Sequence, residues 1–330
     1  GIYRVRKTGA KLVSDPLGNQ IPWADADAES LANLLSDDRL FVQRRATAML
    51  RSSGADSVSA LSDVVSKHTS ATVRCRAVWA LAGIDTEAAH DAVAVALKDS
   101  DSAVRQAAAH TAGLWRDRKS LPQLLQLAAS DDAGPARAAM EAIGRIREPN
   151  AVAEILKITG TLESAEHDAS GAPAIPAERI REHACIYAMI EIAAPDPIRS
   201  GLQSDSPKIQ RAALVALDQI QGGGLTAADV LPRMNAKDEA LRATSVWIVR
   251  RHPDWGVSLA DYFAARLENA DSLSTEEQEL TIDLLASLAE SPEIQTLLLK
   301  HLDADNRPAM ELCLSAIAHT TLSATPLTWL

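Results

Sequence analysis

A small residue returns along this chain on a beat of about 31 positions. Ala46, Ala77, Ala108 and Ala139 stand 31 apart, and after one longer step Ala184, Ala213 and Ser245 follow at 29 and 32. A column of mostly branched residues lies four positions before each: Val42, Val73, Val104, Pro135, Ile180, Ile209 and Leu241. A third lies four positions after: Leu50, Leu81, Ala112, Ile143, Ala188, Leu217 and Val249. Residues four apart share one face of a helix. The small central position lets neighbouring helices approach, and the larger residues above and below interlock. A fixed period of this length marks a repeat architecture, in which units that cannot bury their faces alone stack on one another. The expected class is all-α, an α-α superhelix of solenoid type with a short N-terminal β-like extension.

Composition fits that packing. Hydrophobic residues are 47% of the 330, yet aromatics are only 3%, so the core relies on Ala, Leu, Ile and Val. The formal charge of −11 disfavours nucleic acid, whose binding draws on phosphate neutralisation, and disfavours anionic membranes. Cys75, Cys185 and Cys313 are far apart in helical patterns, with no CxxC or CxxCH, and read as buried structural thiols. No stretch approaches the ~20 apolar residues of a membrane span, so no direct membrane insertion is expected. The chain opens on Gly1 and stops at Leu330, which reads as a segment of a longer protein.

Three regions follow. Residues 1–23 alternate at GIYRVRKTGAKLV and then turn at SDPLGNQIPW, so Ile2–Val5 reads as the edge of a sheet lying mostly outside the chain. Residues 24–256 carry the repeat, each unit a short Leu/Ala-rich helix followed by one that starts near the branched column. Asp38, Ser70, Asp101, Asp132, Asp205 and Asp238 are the expected N-caps of the second helices. Gly54, Gly83, Gly113, Gly144 and Gly222 are the expected left-handed C-caps. The step from Pro135 to Ile180 is 45, and its excess falls in a Gly/Ser/Ala/Pro-rich insertion at 159–177. Residues 257–330 hold less regular helices near 258–269, 275–289, 292–302 and 305–320, with Ser274 and Glu277 in capping-box spacing.

The segments DSAVRQAA and SATVRCRA resemble HEAT repeats. In that family an Asp/Arg ladder runs between repeats, and the resemblance implies such a role for Asp101, Arg74, Arg105, Arg181 and Arg242. Gln43, Gln210 and Ala136 interrupt the arginine column, so the ladder is expected to be partial. Longer strings (CRAVWAL, VRQAAAHTAGLWRDR, EHACIYAMIEI, RAALVALDQI and RRHPDWG) resemble the HEAT segment of planctomycete-type membrane-bound dehydrogenase or haem-binding CxxCH multidomain proteins. That resemblance implies a propeller domain before this segment, with residues 1–23 as its end and linker. It also implies a cytochrome-like domain nearby that carries haem, and export to a bacterial periplasm. No CxxCH stands in this chain, so no cofactor is assigned to it.

Two stretches depart from plain helix packing. In EHACIYAMIEI, Glu182 precedes a line of His183, Tyr187 and Glu191 stepping by four. Glu191 falls close to the apolar stripe and needs a partner, for which Tyr187 is a candidate donor. The line reads either as a recognition surface or as an internal hydrogen-bond network. In RRHPDWG, Arg250, Arg251, His252 and Trp255 make either a cationic-aromatic patch for an acidic partner or a helix C-terminal cap. Trp115 and Arg116 in WRDRK pose the same choice, whereas Trp79 and Trp247 read as interhelix packing.

Catalytic templates fail: HExxH, GxSxG, a Walker loop and a GxGxxG in strand context are all missing, as are the His-Glu pairs of di-iron HEAT hydroxylases. The expected function is a non-catalytic scaffold whose partners are protein domains. The alternative is a HEAT-like enzyme, metal-dependent or bilin-lyase-like. It would use the 159–177 loop and the 182–191 helix, with a metal on His167, Asp168 and His183.

Overall fold

The computed structural model describes residue 9 and residues 13–162, 177–302, 305–320 and 326. The β-like segment expected at Ile2–Val5 and most of the 159–177 insertion lie outside them. Eighteen α-helices fill the described residues, and the chain divides into two compact units, Gly1–Ile192 and Ala193–Leu330. The weaker periodicity expected from residue 257 therefore begins inside the second unit.

The first unit is five helix pairs: α1 (Ala28–Asn33) with α2 (Leu40–Ser52), α3 (Val58–Lys67) with α4 (Ala71–Leu81), α5 (Glu87–Ala96) with α6 (Ser102–Trp115), α7 (Leu121–Ala128) with α8 (Ala133–Ile146), and α9 (Val152–Thr161) with α10 (Ala177–Ile192). The second helices stack in sequence, α2 on α4, α4 on α6, α6 on α8 and α8 on α10, so they form one layer and the first helices the other. The second unit holds four pairs: α11 (Pro195–Arg199) leading to α12 (Pro207–Gln219), α13 (Ala227–Val230) to α14 (Glu239–Val249), α15 (Gly256–Glu268) to α16 (Thr275–Ser287), and α17 (Pro292–Leu302) to α18 (Arg307–Ala318). There α12 packs on α14, α15 on α17 and α16 on α18. The Ser274/Glu277 capping box forms as its spacing predicts.

The small and following columns are buried throughout, from Ala46 and Leu50 to Ser245 and Val249. The preceding column is less strict. Ile180 is 43% exposed, while Arg181 beside it donates to the Ala128 carbonyl at 3.4 Å.

Two of the five glycines are left-handed as expected, and Gly113 and Gly144 do a different job. Gly54 and Gly222 have positive φ, but the left-handed residues that end α6 and α8 are Arg116 (φ 54°) and Arg147 (φ 59°). Gly113 and Gly144 lie inside those helices. A Cβ on Gly113 would stand 2.9 Å from Ala142 Cα, and one on Gly144 would stand 2.9 Å from Ala188 Cα. The glycines are therefore contact points where one second helix touches the backbone of the next. The arginine ends cost more than glycine would, because a Cβ crowds the left-handed conformation. The Asp117 amide answers the Ala112 carbonyl there at 3.0 Å, closing a Schellman turn.

The expected caps also divide. Asp101 and Asp238 accept backbone N–H bonds at the starts of α6 and α14. Ser70 and Asp132 occupy the cap position without a side-chain bond. Asp38 and Asp205 each fall one residue too early, since Arg39 and Ser206 are the N-caps. In the α2 case Asp37 binds the Arg39 amide and guanidinium instead.

Residues 13–23, expected within the 1–23 domain end and linker, dock onto the first repeat. Asp15 accepts amides from Asn19 and Gln20 and pairs with Arg39 at 3.2 Å. The buried Trp23 donates to the Gly18 carbonyl at 2.7 Å and lies under the Arg45 guanidinium. Gly18, at φ 70°, approaches Val42 so closely that a Cβ would be 2.8 Å from it. This turn covers the first half of α2.

In Gly144→Val the added atoms meet Ala188 backbone, an overpacking cost of about 1–3 kcal/mol that outweighs the gain in helix propensity. The thermal midpoint should fall by several degrees. Gly83→Ala, whose nearest neighbour is the flexible Arg51 side chain, should leave the midpoint nearly unchanged.

Candidate interaction surface

The arginine column is anchored to backbone before it is anchored to charge. Arg74, Arg105 and Arg242 each donate to the carbonyl six residues earlier, those of His68 (2.9 Å), Asp99 (2.6 Å) and Ala236 (2.8 Å). Gln43 and Gln210 make the same bond, to Asp37 and Ser204. Glutamine thus preserves the structural half of the ladder, holding the turn between the two helices of each pair.

The charged half uses other acids than expected. Arg74 forms a two-point pair with Asp99 at 2.7 Å each, and Arg105 pairs with Asp132. Among the described residues Asp101 accepts no arginine hydrogen bond; it caps α6. The Arg74 guanidinium holds the Asp99 carboxyl below the usual carboxylate range, with burial opposing it and the Asp101 amide assisting. Since the folded carboxyl titrates below its unfolded value of 3.8, the stability it adds is present above that pH and is lost as pH falls through the folded value. Arg74→Leu should cost about 1–3 kcal/mol at neutral pH. It should also remove this contribution to acid sensitivity, read from denaturation midpoints across the acid range.

In α10 the polar line is split. His183 is exposed and Tyr187 is 41% exposed. Glu191 finds its partner in Arg147, at 3.1 Å, and not in Tyr187. Glu182 is half-buried. His183 and Tyr187 therefore lie on a surface, while Glu191 ties α10 to the end of α8.

The RRHPDWG stretch is folded inward on itself. His252 stacks on Trp255 at 4.1 Å and hydrogen-bonds the buried Asp218 of α12 at 2.8 Å. Arg251 lies over the Trp247 ring at 4.6 Å and 3.6 Å from the same carboxylate. Arg250 reaches Asp283 at 3.6 Å. These groups link α14 to α12 and α16. In WRDRK, Trp115 stacks on His90 at 4.4 Å, and Arg116 is the left-handed cap with an exposed side chain.

Trp79 and Trp247, expected as interhelix packing, are 39% and 42% exposed. Each has one covered face, Trp79 against His110 at 5.4 Å and Trp247 under Arg251. Phe41, Leu114 and Tyr187 are also exposed on second helices. What the spacing conceals is the neighbour: six positions past the anchor is the solvent side of the helix.

Among the described residues no group of three or more His, Cys, Asp and Glu is arranged to hold a metal ion. His167 and Asp168 lie outside them. No helix among them is long and apolar enough to cross a membrane. Cys185 and Cys313 are buried, and burial pushes their thiols up to about 11 and about 12; burial raises the Cys75 thiol too, but Cys75 is only half-buried and so reachable by reagent. Titration of the native chain with a disulfide reagent at mildly alkaline pH should therefore modify Cys75 alone, and all three thiols after denaturation.

The HEAT-repeat family profile matches residues 58–144 and 89–165. No curated protein matches the chain. Among solved structures, a chain of the Kap95p–RanGDP complex is 12% identical over 88% of this chain and 45% of its own, with a TM-score of 0.52. Importin beta is 12% identical over 88% and 44%, with a TM-score of 0.50. This chain spans less than half the length of either. The CpcE–CpcF phycocyanin lyase complex from Nostoc sp. PCC7120 is 19% identical over 88% and 99%, but its TM-score of 0.39 carries no argument. The class is an all-α helical solenoid, with HEAT repeats matched at residues 58–144 and 89–165.

Proposed function

We propose that this chain is a non-catalytic scaffold that binds protein partners. The observation that carries the reading is the set of large apolar side chains, Phe41, Trp79, Leu114 and Tyr187, left exposed on second helices whose other faces are closely packed. Phe41, Trp79 and Leu114 share one solvent-facing helical phase on successive second helices, and apolar groups gathered on one face support an interaction surface. Kap95p, whose fold this chain resembles, binds RanGDP.

The finer reading is a segment of a larger exported dehydrogenase-type redox protein. There it would hold a propeller domain and a haem-bearing cytochrome-like domain in place. The strings CRAVWAL, VRQAAAHTAGLWRDR and EHACIYAMIEI support it by resemblance. Localisation in a bacterial periplasm and haem in a neighbouring domain belong to the same reading.

The parent reading frame should encode a propeller before Gly1 and a CxxCH after Leu330. The purified chain should contain no stoichiometric iron or zinc and should not oxidise sugars with an artificial electron acceptor. Stoichiometric metal, or turnover, would instead favour an enzyme built on the 159–177 loop and the 182–191 helix.

A further inference from the structure

Charge is segregated between the two layers of the first unit. The second helices α2, α4, α6, α8 and α10 carry ten arginines and four carboxylates, of which α2, α4, α6 and α8 hold eight arginines and only Glu141. The first helices α1, α3, α5, α7 and α9 carry five carboxylates, two lysines and no arginine. In a chain of net charge −11, one layer is therefore strongly basic.

Some of those arginines have internal duties. Arg74 and Arg105 serve the ladder, Arg76 donates to the Leu35 carbonyl at 2.7 Å, and Arg51 donates to the Trp79 carbonyl. Arg45 covers Trp23. Two remain for the outer face. Arg44 is exposed and has no carboxylate partner among the described residues. Arg137 is exposed and only loosely paired with Glu141, at 3.7 Å. Arg145 is half-buried with a buried Nη1, so it does not belong to that exposed pair. The positions of the pair step by three or four residues from the exposed Phe41 and Trp79 columns, so by helical phase they share one face. His110 stands between them. Burial and the charge of Arg145 hold it below the usual imidazole range, so at neutral pH the arginines supply the positive charge.

We propose that the outer face of α2, α4, α6 and α8 docks an acidic protein segment that carries apolar side chains. Arg44 and Arg137 meet its carboxylates, and Trp79, with Phe41 and Leu114, takes its apolar groups. Charge complementarity selects the segment and sets its encounter rate, while the aromatic anchor supplies much of the affinity. The apolar side chains between the arginines favour a peptide over nucleic acid, whose binding needs many phosphate contacts from a continuous basic surface. This inference rests on the scaffold reading and names the partner class for it.

The test uses the whole chain and a fluorescein-labelled synthetic peptide alternating Glu with Phe and Leu, read by fluorescence anisotropy. The peptide should bind, and binding should weaken with added salt. Arg44→Glu with Arg137→Glu should weaken it about tenfold or more, as should Trp79→Ala. Trp247→Ala in the second unit should leave it unchanged. Circular dichroism and the thermal midpoint check that each variant is folded. Failure of the peptide to bind, equal binding of a peptide with Lys for Glu, or indifference to the face substitutions would overturn the proposal. So would tighter binding of a DNA oligonucleotide at the same face. Those outcomes leave the scaffold reading standing; stoichiometric metal or turnover removes that reading whatever the peptide does.

Discussion

The first unit depends on how closely its second helices can approach. Where α6 meets α8 and α8 meets α10, a glycine faces the backbone of an alanine, with no room for a Cβ between them. Close approach brings many atoms into van der Waals contact, each worth little, and compensates for a core with few aromatics. The same geometry dictates composition. A column facing a neighbour's backbone must be Ala, Gly or Ser, so larger side chains are confined to the edges of the interface or to the solvent side.

That confinement links the fold to the surface. The inward positions are filled by small residues and the turns are held by Arg and Gln bonds to carbonyls six residues back. The outward positions are left free to vary, and there Phe41, Trp79, His110, Leu114 and Tyr187 appear. The acids and bases sort likewise: carboxylates that meet the ladder sit in the turns, as Asp99 and Asp132 do, and surplus arginines point outward.

Much of the architecture was legible because it is periodic. Ala46 to Ala139 revealed the stack, and the helices near 258–320 appeared where their patterns placed them. The glycines misled because a Gly near a helix end satisfies two demands, a left-handed cap or a close contact, and the sequence does not separate them. Gly113 and Gly144 stand 31 apart, in step with the packing columns, and this was the signal that they face a neighbour. Asp101 misled for a related reason: one carboxylate near a helix start can cap or can pair, and Asp99 two residues earlier took the arginine. The surface was less legible. Glu191 needed a partner, but Arg147 lies 44 residues away, on a neighbouring helix that no local pattern connects to it. The charge segregation required knowing which helices share a layer, after which it follows from the sequence alone.

Native-state hydrogen exchange measures the central claim directly, because amide protection reports which elements open together. If close packing of the second helices organises the first unit, the slowest amides will be those of α6, α8 and the buried face of α10, around Ala108, Ala112, Ala139, Ile143 and Ala188, exchanging as one cooperative set. Slowest exchange in the first helices α3, α5 and α7, with α6 and α8 opening independently of each other, would contradict it.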